Sequence, residues 1–257
     1  MAYRYDHDLQ FLGECSSEEL RDFAELLIYD KDGTERLTGN MDLAKRYKYQ
    51  PDCNQYWQEL AAEFQLFGGN TFANIARGSK GILYREILRN VFDKMKIKGF
   101  AEDKSTEWNE QLFMEKIIPS FTEKMSLDEL KKLANELGIE NTNNLTPQIY
   151  TAAFITLFRS GKIHSYRVIV TVVNTFWRAL FGHGLKPVVN ASINKTLGTL
   201  TGPVGWTFTG VWTAIDIASP AYRVTIPAVL QIIYLRSLNA NRNLIKEQEI
   251  QQIDNKE

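Results

Sequence analysis

Apolar residues recur at helical spacing along most of this chain of 257 residues. Phe23 and Leu27 show the pattern near the amino terminus, where it predicts a helix over residues 17–29. Ser16 and Glu19 form a capping box, a pairing typical of a helix start. The same analysis predicts further helices over residues 51–68, 82–95, 107–118, 127–137, 148–159 and 164–181. The predicted fold class is therefore all-α, a multi-helix bundle.

A long apolar segment covers residues 197–236, where only Asp216 and Arg223 are charged before the last residue. Prolines divide it into two predicted helices, Pro203–Ser219 and Pro220–Leu235, which would form a hairpin. Small residues near four-residue steps favour close helix packing. They are Gly198, Gly202, Gly205, Gly210, Ala214 and Ala218.

Neither predicted helix crosses a bilayer well on its own. Asp216 costs about 3 kcal/mol at the centre of a membrane, which cancels the apolar residues of the first helix. The second helix would reach only about 24 Å, short of a hydrocarbon core of about 30 Å. Two hypotheses stay open: a soluble core hairpin with Asp216 and Arg223 as a buried ion pair, or a hairpin that contacts or enters a bilayer with the same pair neutralised.

Charge is distributed unevenly along the chain. Residues 1–158 carry 19 Lys and Arg against 26 Asp and Glu, a net −7, whereas residues 159–236 carry 8 against 1, a net +7. The basic apolar part could pack against the acidic part, or meet anionic lipid or another protein. Its basic residues are dispersed, which argues against nucleic acid as a partner. The predicted segments are a small amino-terminal helical module (1–40), an acidic helical domain (41–160), the basic apolar region (161–240) and a polar tail (241–257).

Two glycines, Gly68 and Gly69, precede Asn70, a good helix N-cap, and Arg77 follows within two turns. Free N–H groups at such a helix start could hold a phosphate or carboxylate. A tight corner between two helices would require the same glycines. The tentative anion site therefore comprises Gly68, Gly69, Asn70 and Arg77, with the corner as the alternative.

Catalytic and metal-binding signatures are scarce. The histidines are His7, His164 and His183, and the spacing matches no zinc, hydrolase or dinucleotide motif. Cys15 and Cys53 are expected to be free thiols. The Asp6-His7-Asp8 sequence is expected to be an exposed polar terminus, and Asp30 to Gly33 a plain turn. We therefore expect no metal, no cofactor and no enzymatic activity.

The amino terminus has no apolar core of a signal peptide, so we expect a cytoplasmic protein, or one that is peripheral at the inner membrane.

Four sequence stretches resemble one known family. They are FLGECSSEEL, DKDGTERLT, GGNTFANIARG and GPVGWTFTGVWTAIDIASPAYRVTIPAVLQIIYLR. The chain resembles the YaaW-like family of uncharacterised bacterial proteins, which are grouped with ubiquinol–cytochrome c chaperones. This resemblance implies a non-enzymatic helical protein that assists assembly of a membrane-bound respiratory complex. It supplies no catalytic residues.

Two functions remain in consideration from the sequence. In the first, the chain is a non-catalytic binding or assembly factor whose apolar hairpin engages a protein partner such as a membrane protein. In the second, it is a membrane-active or pore-forming protein whose hairpin inserts into a bilayer. The two differ in whether lipid alone is a sufficient partner.

Overall fold

A computed structural model describes residues 3–30, 32–36, 42–68, 81–123, 125–139, 145–186 and 222–254. Within these ranges the regular elements are helices, and the described residues also include one isolated antiparallel bridge, between Tyr29 and Glu35. The all-α prediction is confirmed for this part of the chain. The apolar hairpin is not shown.

The described residues form two compact units. The first holds those up to Phe113 together with residues 222–236, and the second holds residues 114–186 together with 237–254. The helices of the first unit are two 3-10 helices, His7–Glu14 and Cys53–Tyr56, with α1 (Ser17–Ile28), α2 (Leu43–Tyr49), α3 (Trp57–Phe67), α4 (Tyr84–Lys94), the start of α5 (Thr106–Thr122) and the start of α9 (Tyr222–Asp254). The second unit holds the ends of α5 and α9 with α6 (Leu127–Glu136), α7 (Pro147–Arg159) and α8 (Lys162–Phe181). The division into four sequence segments stays a prediction.

The predicted helix starts are confirmed where a side chain caps the backbone. Ser16 accepts from the N–H of Glu19 at 3.3 Å, and the carboxylate of Glu19 accepts from the N–H of Ser16 at 2.7 Å. Ser126 and Glu129 repeat this capping box at the start of α6. Each box satisfies two backbone donors that the first turn leaves unbonded.

Aromatic side chains fill the core of the first unit. The rings of Phe23 and Phe64 meet edge to face with centroids 5.8 Å apart, and Tyr84 lies 5.9 Å from Phe64. All three are fully buried. This packing joins α1, α3 and α4, and it places Tyr84 in the centre of the unit.

The core of the second unit lies along one side of α7. Tyr150, Phe154 and Phe158 follow at four-residue steps and are buried. The sequence spacing of Ile149, Ala153 and Leu157 beside Phe154 and Phe158 predicts a wider apolar face for this helix. In the structure, however, Ile149 is 48% exposed and Leu157 is half-buried. The wide face is therefore wrong, because only residues that share the stripe of Phe154 turn inwards.

Two predicted helix ends are also wrong. The helix predicted over residues 107–118 was expected to stop before Pro119, yet the corresponding helix, α5, continues to Thr122. A proline removes one N–H donor, but its carbonyl still accepts, here from the N–H of Glu123 at 2.9 Å. The last helix was expected to end at Leu235, yet α9 continues to Asp254, since the sequence beyond Leu235 has no proline or glycine to break it.

The predicted hairpin is only partly within the described residues. Most of its second helix is the beginning of α9, whereas the first helix, residues 203–219, lies outside them. No helix among the described ranges is long and apolar enough to cross a membrane.

A close backbone contact at Gly81 generates a stability prediction. A Cβ at this position would lie 2.4 Å from the Cβ of Gln65 and 2.6 Å from its backbone carbon. We expect Gly81→Ala to lower the free energy of unfolding by about 2 kcal/mol or more, because α3 must move to admit the methyl group. Gly33→Ala is the control: it has open space and a φ of +82°, so only the backbone cost of about 1 kcal/mol should appear. Equal losses in urea unfolding of the two variants would contradict the contact.

Candidate functional site

Arg236 lies at the centre of a polar network inside the first unit. Its Nε donates to both carboxylate oxygens of Glu110, at 2.9 and 3.2 Å, and its Nη2 donates to the backbone carbonyl of Asp8 at 2.6 Å. A second carboxylate, Glu107, lies 3.5 Å from Nη1. The guanidinium also stacks over the ring of Phe11 at 4.5 Å. One side chain of α9 thus joins α5 to the amino-terminal 3-10 helix.

Glu110 is a buried carboxylate that requires hydrogen-bond donors, because its side chain is only 5% exposed. The hydroxyl of the fully buried Tyr84 donates to its Oε1 at 2.7 Å. With the bonds from Arg236, the carboxylate receives donors from both α4 and α9. A buried carboxylate is costly unless it is paired and hydrogen-bonded in this way.

Asp6 is a second buried carboxylate, and it is hydrogen-bonded to the backbone of Tyr84. Its carboxylate accepts from the backbone N–H of Tyr84 at 2.6 Å, from the N–H of Asp8 at 3.1 Å and from Nε2 of Gln65 at 3.4 Å. Gln65 also exchanges two hydrogen bonds with the backbone of Arg4, at 2.9 and 3.2 Å. The amino-terminal segment of residues 3–8 is therefore fixed to α3 and α4 through buried polar groups.

Burial governs the electrostatics of the network. It raises the pKa of Glu110 above its ordinary value, although the charge of Arg236 and the hydroxyl of Tyr84 oppose it. It also raises the pKa of Tyr84 well above the usual range, helped by the negative charge of Glu110. Burial tends to lower the pKa of Arg236, but Glu110, Tyr84 and Glu107 together outweigh it and the net direction is upward. The geometry, with donors converging on Glu110, is that of an ionised carboxylate held by a guanidinium.

This network was not predicted from the sequence. The Asp6-His7-Asp8 sequence was expected to be exposed, but Asp6 is 4% exposed because it accepts from α4. The one available signal was Arg236, a charge at the end of an apolar run. Within the described ranges, no three His, Cys, Asp or Glu side chains are grouped so that they could hold a metal ion.

The tentative anion site is only partly described. Gly68 caps α3, and a Cβ there would lie 2.4 Å from Cγ1 of Ile87 on α4. Such a close approach is what a tight corner between two helices requires. Gly69, Asn70 and Arg77 lie outside the described residues, so anion binding stays a prediction.

The predicted ion pair is likewise only partly described. Arg223 is exposed in the first turn of α9. Asp216 lies outside the described residues, and so do the residues predicted to pack closely, Gly198, Gly202, Gly205, Gly210, Ala214 and Ala218. Pairing and close packing both stay predictions.

Family models match the chain in two places. One, named Domain of unknown function (DUF3944), matches residues 3–37, which include the amino-terminal segment fixed by Asp6. The other, named Ubiquinol-cytochrome C chaperone, matches residues 53–230. The helices and these matches define the class: an all-α protein with a chaperone-family domain behind a small amino-terminal module.

Curated relatives give a more specific assignment. A UPF0174 protein of Helicobacter pylori strain J99 is 43% identical over 237 residues, covering 92% of this chain and 93% of the relative. A UPF0174 protein of Helicobacter pylori strain 26695 is 40% identical over 79% of this chain and 96% of its own length. The UPF0174 protein YaaW of Escherichia coli strain K12 is 33% identical over 92% of this chain and 96% of its own length. The chain belongs to the UPF0174 family, and the resemblance to YaaW-like proteins is confirmed. No solved structure matches it.

Removal of Arg236 tests the network. We expect Arg236→Met to lower the free energy of unfolding by about 3 kcal/mol, because the stem is kept while Glu110 is left buried without its cation. Arg89→Met is the matched control, since Arg89 pairs with Glu102 at the surface with both side chains more than half exposed. That change should cost less than about 1 kcal/mol. Chemical unfolding measures both, and similar losses would contradict a special role for Arg236.

Asp6 generates a prediction about pH. Burial raises the pKa of its carboxyl above the ordinary value of 3.8, despite the N–H donors of Tyr84 and Asp8. The folded chain therefore binds this proton more tightly than the unfolded chain, so the contribution of Asp6 is full below pH 3.8 and declines as pH rises through the folded pKa. We expect the Tm of the natural chain minus the Tm of Asp6→Asn to decrease from about pH 4 to about pH 7, because the natural chain alone loses this contribution. A difference that grows over this range would show that the donors lower the pKa instead.

Proposed function

We propose that this chain is a non-catalytic, chaperone-like binding or assembly factor, and that its apolar segment of residues 197–236 engages a protein partner. The observation that carries the proposal is the Ubiquinol-cytochrome C chaperone match, which spans residues 53–230 and so includes most of that segment. A subunit of a membrane-bound complex is the partner class that this name suggests. The expected location is the cytoplasm or the periphery of the inner membrane.

The polar network supports a structural use of the chain's buried charges. Tyr84 and Arg236 both donate to Glu110, and Arg236 also contacts Asp8, Glu107 and Phe11. These groups stabilise the helices that surround the start of α9. A non-catalytic role is consistent with this arrangement, in which the charged side chains hold helices together.

A site-specific cross-link tests the proposed partner. Trp212 lies in the apolar segment, and Trp108, which is 40% exposed on α5, supplies a control of the same residue type. A photoreactive phenylalanine replaces one or the other tryptophan in the full chain, and the products formed in cells are identified by mass spectrometry. We expect position 212, and not position 108, to cross-link to a subunit of a membrane-bound complex. We also expect cells without the chain to contain less of that complex in assembled form.

Two outcomes would overturn the proposal. The first is the same set of products from positions 212 and 108. The second is an unchanged amount of assembled complex in cells without the chain. Dye release from anionic lipid vesicles, at neutral or acid pH, would instead favour the alternative function of a membrane-active protein whose hairpin inserts into lipid.

A further inference from the structure

The start of α9 contains a buried glutamine with no internal hydrogen bonds. From Val224 to Leu235 every residue of this helix is buried, and Gln231 is 0% exposed. Among the residues that the structure describes, neither Nε2 nor Oε1 of Gln231 has a hydrogen-bond partner. A buried amide loses its bonds to water on folding, so an unbonded one destabilises the folded state.

Gln65 shows how the same side chain is accommodated elsewhere in this unit. It is 1% exposed, but its amide bonds to the backbone of Arg4 in both directions and to the carboxylate of Asp6. The two glutamines are equally buried and differ in whether their amides are satisfied. They form a natural matched pair for experiment.

A second weakness lies one turn before Gln231. Pro227 is inside α9, four residues earlier and on the same face of the helix. Proline has no backbone N–H, so one main-chain hydrogen bond of the helix is missing there. Two neighbouring turns of α9 therefore each have a defect in hydrogen bonding. One turn lacks the main-chain N–H of Pro227, and the next contains the unbonded side-chain amide of Gln231.

The segment is held more firmly near its two ends. Thr225 donates to the backbone carbonyl of Phe67 at 3.3 Å, and Arg236 binds Glu110 and Asp8. The weak turns thus lie between two anchored positions. Proteins open locally at free energies below that of global unfolding. An unbonded buried amide lowers the cost of opening the segment that contains it, because the amide regains its bonds to water.

We propose that residues 224–235 of α9 form a conformational switch that opens locally before the rest of the first unit unfolds. In the open state the amide of Gln231 bonds to water, and an apolar surface becomes available. That surface consists of Val224, Ile226, Val229, Leu230, Ile232, Ile233 and Leu235. The proposal does not depend on which partner the chain binds.

Hydrogen exchange of the full chain tests the switch. In the natural protein, peptides covering residues 224–235 should exchange faster than peptides of α3 and α4 in the same unit. Gln231→Leu should slow exchange of residues 224–235 about tenfold and raise the Tm, because the unbonded amide is removed. Gln65→Leu is the control and should lower the Tm, since Arg4 and Asp6 lose a bonded partner.

Gln231→Met provides a second variant, because its unbranched side chain follows the shape of glutamine. Slower exchange of residues 224–235 in either Gln231 variant, with α3 and α4 unchanged, would support the switch. It would be overturned if neither variant slowed that exchange, or if both lowered the Tm, since the amide would then have a partner in solution. Equal exchange rates for residues 224–235, α3 and α4 in the natural chain would also overturn it.

Discussion

The bond between Arg236 and Glu110 holds together parts of the chain that are far apart in sequence. Glu110 is buried in α5, and the Arg236 guanidinium that binds it also reaches the backbone of Asp8, 228 residues away. A carboxylate in this setting is tolerated only when a cation and further donors accompany it. The first unit is therefore complete only when residues 222–236 have packed beside the amino-terminal segment. The stability of the amino-terminal segment therefore depends on residues 222–236.

Helix α9 contains both a strongly hydrogen-bonded side chain, Arg236, and a buried side-chain amide without a partner among the described residues, Gln231. Arg236 anchors α9, while the side-chain amide of Gln231, five residues earlier, is buried without a hydrogen-bond partner among the described residues and follows Pro227 by one turn. The network limits motion at one end of the segment, and the unbonded amide favours motion within it. This combination suits a helix that belongs to the folded unit yet can expose its apolar side chains in a restricted way.

Local signals explain what could be predicted from the sequence. The capping boxes at Ser16 and Ser126 fix helix starts because both partners lie within four residues. The continuation of α5 beyond Pro119 was missed because proline was taken to end the helix, although most main-chain hydrogen bonds survive. The continuation of α9 beyond Leu235 was missed because a polar sequence was taken to end it. The short helix α2 was missed because Leu43–Tyr49 has little apolar periodicity.

The polar network could not be predicted for a different reason. Its members are separated by 126 residues between Glu110 and Arg236 and by 78 between Asp6 and Tyr84, and no local pattern encodes such pairs. Buried and exposed charges look alike in a sequence, so Asp6 was expected at the surface. Membership of the UPF0174 family was predictable, since the resemblance covers most of the chain, 92% of it for one relative.

A double-mutant cycle between Glu110 and Arg236 tests the central claim most directly. Unfolding free energies of the natural chain, Glu110→Gln, Arg236→Met and the combined variant give the coupling between the two side chains. A buried, hydrogen-bonded pair predicts a coupling of about 2 kcal/mol or more. A coupling within about 0.5 kcal/mol of zero would contradict the conclusion that this pair holds the first unit together.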